Sequence, residues 1–261
     1  MREVVSMGLR LIKKNSPNHY NGRAGWKADM ICFHQTGGTS VADALKWYMN
    51  PNAQCSPNYV IDTNGDVYQL VDPDHAAWAN GTATKANDKK FYGCSLSKIV
   101  RDRATNANYY TYSIEFVHCQ WGNINEAQVA AAVELIKTVI VPHMRKKGVT
   151  PKIDREHLVG HSDITPKTRD PEKFNCPGKR FPYDEIISRV LGKAPEKAVS
   201  FVVGEKVTIK DTADTYAGVT KKIPAGLKGP AHVYTVSRVN EEKVLLKELY
   251  SWVWIKDLEK R

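Results

Sequence analysis

Two histidines stand where a protein chain usually presents reactive groups. His34 ends a short apolar run over residues 29–34 and is followed by Gln-Thr-Gly-Gly, which indicates a buried strand that opens into a loop. His161 follows the apolar pair Leu158-Val159 in the segment Gly-His-Ser-Asp. Because side chains at strand ends beside loops are often functional, we expect these two histidines to meet at one metal ion. The other six histidines are expected to be surface residues or hydrogen-bonded core residues.

A catalytic zinc site requires a third protein ligand, with a fourth position left for water. Asp170 and Cys176 both lie downstream of His161, and each of them precedes a proline. The pattern of residues by itself leaves both of them open as the third ligand.

The elements that position these groups follow from the hydrophobic pattern. Ser40 predicts the N-cap of a helix, and Asn64-Gly65 predicts the turn of a hairpin over residues 57–72. A strand over residues 110–118 precedes a helix that begins at Asn125. A last helix follows Pro182, and the polar residues 79–108 predict a long loop. Strands mixed with helices indicate an α/β fold.

The pattern changes after residue 192. Residues 193–200 have the composition of a linker, and residues 201–261 contain only short strands separated by turn residues. We therefore predict a first domain over residues 1–192 and a small β-barrel over residues 201–261.

Composition excludes several classes of protein. Five cysteines without a Cys-x-x-Cys pair argue against a disulfide scaffold and a zinc finger. No apolar run approaches the length of a transmembrane helix, and the N-terminal apolar stretch is too short for a signal peptide. The net charge of +10 favours an anionic partner, but the positive charge is spread along the chain, which disfavours a nucleic-acid binder.

Several segments, read together, resemble one family. They are Phe-His-Gln-Thr-Gly-Gly-Thr from residue 33, the hairpin, Ala77-Trp78, Ser113-Ile114-Glu115, Gly-His-Ser-Asp from residue 160 and Cys-Pro-Gly-Lys-Arg-Phe from residue 176. In this order they resemble the zinc-dependent N-acetylmuramoyl-L-alanine amidases of type 2, a family that also contains the peptidoglycan recognition proteins. The resemblance covers roughly residues 25–192 and implies a central mixed β-sheet flanked by helices.

The resemblance also implies a site. The zinc ligands are His34, His161 and Cys176, with Asp170 as the alternative third ligand. Glu115 matches an acidic position on the middle strand of the family and is expected to transfer protons. Some members carry a tyrosine beside the zinc, but the matching hairpin position here is Pro57.

An oxyanion donor is expected near the third ligand. Lys167 is the predicted donor, and Thr168 is the alternative, because it lies two residues before Asp170.

The function implied is hydrolysis of the amide bond between N-acetylmuramic acid and L-alanine in peptidoglycan, with Zn²⁺ as cofactor. The C-terminal module resembles bacterial SH3-type cell-wall-binding domains. We expect a phage or prophage endolysin that stays in the host cytoplasm until release through a holin, and neither nucleic acid nor membrane insertion is expected. A non-catalytic peptidoglycan-binding protein of the same fold is the alternative.

Overall fold

A computed structural model of the protein describes residues 8–120, 122–168, 175–193, 201–240 and 242–261. The chain divides into two compact units, Met1–Ala194 and Pro195–Arg261. The residues between 193 and 201, where the sequence predicts a linker, lie outside the described ranges.

Within the described residues, the first unit is built on a mixed six-stranded sheet with the order β1-β5-β4-β7-β3-β8, and β2 pairs separately with β6. The strands are β1 (Leu11–Lys13), β2 (His19–Tyr20), β3 (Met30–Gln35), β4 (Tyr59–Ile61), β5 (Val67–Gln69), β6 (Ala76–Ala77), β7 (Thr111–Phe116) and β8 (Leu158–Gly160). The helices are α1 (Val41–Met49), α2 (Lys98–Arg103), α3 (Glu126–Leu135), α4 (Val141–Lys146), α5 (His161–Ile164) and α6 (Tyr183–Val190). The predicted α/β class with a central mixed sheet is confirmed.

The centre of the sheet is parallel and buried. Strand β3 pairs in parallel with β7 on one side and with β8 on the other. All six residues of β7, and all of β3 except Gln35, are buried. Parallel strands covered on both faces show this pattern, and their carboxyl ends lie at one edge of the sheet.

The helical stretch Glu126–Lys146 covers one face of the sheet. It begins with a capping box in which the Asn125 side chain accepts from the Gln128 amide at 2.9 Å and the Gln128 side chain accepts from the Asn125 amide at 3.2 Å. A π-helical turn, Ile136–Ile140, joins α3 to α4 just before Pro142, which lacks the amide needed to continue a regular ladder.

By length and composition alone this stretch could cross a membrane, but 56% of it is buried inside the protein. Its buried side chains share a cluster with the sheet residues Ile31, Phe33, Ile114 and Phe116. This is the arrangement of a core helix.

The opposite face of the sheet carries polar side chains beside its apolar ones. The buried Asn80 donates to Thr111 Oγ1 at 2.9 Å and accepts from Ser113 Oγ at 2.6 Å. The buried Asn58 accepts from the Ser113 amide at 3.1 Å. Because side chains alternate along a strand, Glu115 lies on this same polar face of β7.

Most of the predicted elements are present. Ser40 caps α1 by accepting from the Asp43 amide at 3.2 Å, and the hairpin turns at Gly65, which has a φ of +87°. The prediction of a long loop over residues 79–108 is wrong in part, because α2 lies inside it. Val100 of α2 belongs to one buried apolar cluster with Met30 and Cys32, so tertiary packing stabilises a helix that the polar composition of the segment does not predict.

The second unit is an antiparallel sheet that, in the residues described, has five strands with the order β12-β11-β10-β9-β13. The strands are β9 (Lys206–Ile209), β10 (Tyr234–Asn240), β11 (Lys243–Leu246), β12 (Ser251–Trp254) and β13 (Leu258–Lys260). Tyr216 and Tyr234 belong to its apolar cluster, whereas Tyr250 is 86% exposed. The apolar runs at residues 207–209, 233–236, 244–246 and 252–255 predict four of these strands, whereas β13 is missed.

Gly160 lies where β8 meets the segment that carries Cys176. A Cβ atom at this position would overlap the Tyr183 hydroxyl and lie 2.8 Å from Pro177 Cδ and 3.0 Å from the Cys176 carbonyl oxygen. We expect Gly160→Ala to lower the free energy of unfolding by about 1–3 kcal/mol, because overpacking forces its neighbours to move. Denaturant unfolding measures the change.

Gly38→Ala is the matched control. No atom lies within 4 Å of the Cβ position there, and its backbone is not in the left-handed region. Equal stability of the two variants would contradict the close packing at Gly160.

Candidate metal centre

The register of the parallel strands brings the two predicted histidines together. Phe33 of β3 lies opposite Gly160 of β8, so the next residues, His34 and His161, are neighbours at the carboxyl ends of these strands. Their ring centroids are 4.6 Å apart, and both side chains are buried. Two imidazoles at this distance can bind one ion.

Cys176 reaches the same place from a segment fifteen residues further along the chain. The Ser162 amide and the Ser162 hydroxyl both donate to the Cys176 carbonyl oxygen at 3.0 Å. The hydroxyl also lies 2.6 Å from Asn175 Oδ1. Ser162, which the sequence analysis did not single out, therefore ties the third predicted ligand to α5.

The three side chains have the composition and spacing of a metal site. The ligand atoms of His34, His161 and Cys176 all lie within 4.8 Å of one another, and all three residues are buried. In tetrahedral zinc sites with bonds of about 2.0–2.3 Å, neighbouring ligand atoms are roughly 3.5 Å apart. Two imidazoles and one thiol therefore fit such an ion. Asp170, the alternative third ligand, lies outside the described residues.

Glu115 lies beside this group because β3 and β7 pair in register. Glu115 is the direct neighbour of His34, and its Oε1 atom lies 3.9 Å from His34 Nδ1. The residue is 9% exposed. A carboxylate this deep, next to a metal-binding group, is well placed for proton transfer.

A tyrosine that the sequence analysis did not single out also lies at the site. Tyr48, in the last turn of α1, is buried and lines the same cavity as Glu115. Burial, and then the negative charge of Glu115, raise the pKa of the Tyr48 phenol. The phenol therefore stays protonated and is able to donate a hydrogen bond to the carboxylate. Its spacing within α1 gave no sign that it faces the cavity.

The metal-binding group opens into a cavity of about 270 Å³. The cavity is lined by both histidines, Cys176, Glu115 and Tyr48, and by nine further residues: Gln35, Thr36, Gly37, Trp47, Cys55, Ser56, Pro57, Trp78 and Ala79. A second cavity, of about 630 Å³, shares His161, Cys55, Trp78 and Ala79 with the first.

The two predicted oxyanion donors differ in position. Lys167 is exposed, and it is not among the residues that line either cavity. Thr168 is half-buried, lines the larger cavity and donates from Oγ1 to the Thr165 carbonyl oxygen at 3.0 Å. The structure therefore brings Thr168, rather than Lys167, to the cavity wall.

The five cysteines, all within the described ranges, are free thiols, as the sequence predicts. Burial raises the pKa of Cys32 and raises that of Cys119 to about 12. Cys55 is half-buried at the cavity, and burial raises its pKa although its sulfur accepts from the Trp47 indole nitrogen at 3.1 Å. These three thiols are therefore held protonated, which does not suit a nucleophile.

Comparison with known proteins places this geometry in a family. The family model of the N-acetylmuramoyl-L-alanine amidases, Amidase_2, matches residues 24–179. The "N-acetylmuramoyl-L-alanine amidase A" of Achromobacter lyticus is 26% identical over 206 residues, which cover 72% of this chain and 97% of that protein.

Two of the solved structures to which this chain is similar are the following. A selenomethionine derivative of AmpD has a TM-score of 0.47 and 16% identity, covering 69% of this chain and 94% of its own. PlyL has a TM-score of 0.47 and 15% identity, covering 72% of this chain and 99% of its own. The assignment rests on the sequence match, which spans more than half of the chain and includes both histidines, Glu115 and Cys176. The chain belongs to the N-acetylmuramoyl-L-alanine amidase family, Amidase_2.

Proposed function

We propose that this chain is a zinc-dependent peptidoglycan hydrolase that cleaves the amide bond between N-acetylmuramic acid and L-alanine. The observation that supports it most directly is the buried group His34, His161 and Cys176 beside Glu115, in a chain of this family. Such a group at the carboxyl ends of parallel strands lies where α/β sheets bind their ligands.

The two imidazoles and the thiolate would hold the zinc ion. When bound, zinc supplies a Lewis acid for the amide carbonyl and makes water acidic enough to attack near neutral pH. Because the three ligands are buried, the charges of the thiolate and of a bound zinc ion would be little screened by solvent.

Glu115 would act as the proton carrier. Its carboxylate would accept a proton from the attacking water and donate it to the leaving nitrogen of L-alanine. The nitrogen then leaves as a neutral amine and not as an anion. Its burial keeps the carboxylate next to the reacting bond rather than in solvent. A hydroxyl such as that of Thr168, or the ammonium of Lys167, would stabilise the oxyanion.

The substrate would extend from the smaller cavity into the larger one. The larger cavity is lined by aromatic and amide side chains, among them Tyr20, Trp78, Asn106 and Gln54, with Lys90 as a cation. Aromatic rings and amides together suit sugars and peptides, the two components of peptidoglycan.

The presence of both Cys176 and Glu115 favours a hydrolase over a recognition protein that binds peptidoglycan without cutting it. A binder needs neither a complete ligand set nor a buried proton carrier. The net charge of +10 suits an anionic cell wall, and we propose an endolysin that acts there after its release from the host cytoplasm.

Peptidoglycan treated with the protein should gain free amino groups of L-alanine, detected by mass spectrometry. Glu115→Gln keeps the shape of the side chain and removes the base, so turnover should fall by roughly 10²–10⁴-fold while bound zinc is retained.

New reducing sugar ends in place of L-alanine amino groups would show a glycosidase instead. A near-normal rate for Glu115→Gln would show that another group carries the proton.

The metal ligands can be separated by zinc content. His161→Ala and Cys176→Ser each leave two protein ligands, so bound zinc, measured by elemental analysis of the purified protein, should fall sharply. Asp170→Asn should keep its zinc. His143→Ala is the matched control, because the His143 ring makes hydrogen bonds with Tyr112 and Asp74 and is not part of the metal-binding group.

Full zinc occupancy in His161→Ala would refute the site. If Asp170→Asn loses zinc and Cys176→Ser keeps it, the third ligand is Asp170, and Thr168 becomes the natural oxyanion donor.

We also propose that the second unit is an SH3-like domain that binds the cell wall. Val253 is buried, whereas its neighbours Trp252 and Trp254 are only half-buried, as expected where side chains alternate across a sheet. The Lys243 ammonium lies 5.3 Å from the Trp252 ring centroid. With the exposed Tyr250, these rings offer an aromatic surface to sugar or peptide.

The double variant Trp252→Ala and Trp254→Ala should sediment less with whole cell walls and keep its activity on soluble muropeptide, because the metal centre lies in the first unit. Val203→Ala, at a residue 67% exposed in the second unit, is the control. Unchanged wall binding by the double variant would assign the wall contact to other residues.

A further inference from the structure

We propose that Tyr48 is a positioning residue, whose hydroxyl holds the Glu115 carboxylate in the orientation needed for proton transfer. The inference rests on the proposed function of Glu115. It concerns a residue of α1, far in sequence from the strand that carries Glu115.

The packing of the Tyr48 ring places it on the same face of the sheet as the Glu115 carboxylate. The ring belongs to an apolar cluster with Val60, Leu70 and Val117. Val60 lies on β4 directly opposite Glu115 of β7. Paired residues present their side chains to the same face of a sheet, so a ring packed near Val60 lies on the face that carries Glu115, and Tyr48 and Glu115 line the same cavity.

The backbone of Tyr48 is anchored independently of its ring. Its carbonyl oxygen accepts from Ser16 Oγ at 2.6 Å and from Asn18 Nδ2 at 3.0 Å, and Asn18 also donates to the Asn50 carbonyl oxygen at 2.9 Å. Ser16 and Asn18 are 3% and 1% exposed. Two buried polar side chains thus fix the end of α1, which leaves the phenol little freedom.

This rigidity matters because of the length of the Glu115 side chain. A glutamate has three rotatable bonds, and a carboxylate held only by its own strand would sample several rotamers. A hydrogen bond from a fixed phenol selects one of them. The phenol gives up no proton in doing so, so its action is on geometry and passes through Glu115.

A double-mutant cycle tests this dependence. Tyr48→Phe should lower kcat about 10–100-fold, the range for losing a residue that orients a reactive group, with KM within about twofold and bound zinc unchanged. In the Glu115→Gln background the same substitution should change kcat by less than about threefold, because there is no carboxylate left to orient.

Tyr59→Phe is the matched control. Tyr59 is fully buried on β4, and in the part of the chain that the structure describes its hydroxyl has no hydrogen-bond partner. The kcat of Tyr59→Phe should match that of the unaltered protein. Thermal unfolding of both phenylalanine variants separates a loss of orientation from a loss of folded protein.

Ser16→Ala provides a second variant that keeps the phenol. It removes one anchor of the Tyr48 carbonyl, so kcat should fall less than in Tyr48→Phe, and the fall should again vanish beside Glu115→Gln.

Two results would overturn the inference alone: a normal kcat for Tyr48→Phe beside a slow Glu115→Gln, or effects of the two substitutions that multiply in the double variant. A normal kcat for Glu115→Gln would instead remove the proposed role of Glu115, and the role of Tyr48 with it.

Discussion

The parallel pairing of β3 with β7 and β8 is the constraint on which the site depends. Register alone sets His34 beside Glu115 and places His161 one residue beyond the partner of Phe33. A slip of one residue would turn either strand over and move its polar side chain into the helical layer. The apolar residues Ile31, Phe33, Ile114 and Phe116, which bury one face under α3, therefore also fix the chemistry of the other face.

The sequence was informative wherever a local rule acts. The apolar run that ends at His34, the Asn64-Gly65 turn and the cap at Asn125 each depend on neighbours within a few residues, and the structure has the elements they predict. The helix α2 was missed because its stability comes from an apolar cluster that Val100 shares with the distant Met30 and Cys32. No local pattern records such a contact.

The residues of the site likewise include some that the sequence predicts and one that it misses. The residue types and the family resemblance singled out His34, His161, Cys176 and Glu115, and the structure brings them together. Tyr48 could not be found from sequence, because its apolar ring at helical spacing is typical of a core residue. Its hydroxyl lies near Glu115 only because α1 packs over β4. The family's hairpin position for a tyrosine is occupied by Pro57, so a search along the hairpin misses it.

The hydrogen bonds from Ser162 to the Cys176 carbonyl have a consequence for how the ion arrives. They hold the thiol near the two imidazoles through the backbone, without any bond to a metal. The entropy of closing the loop from His161 to Cys176 is then lost during folding, and it does not weigh against metal capture. Exchange of the ion can thus be a local event at a preformed site, in contrast to zinc fingers, which unfold when their metal leaves.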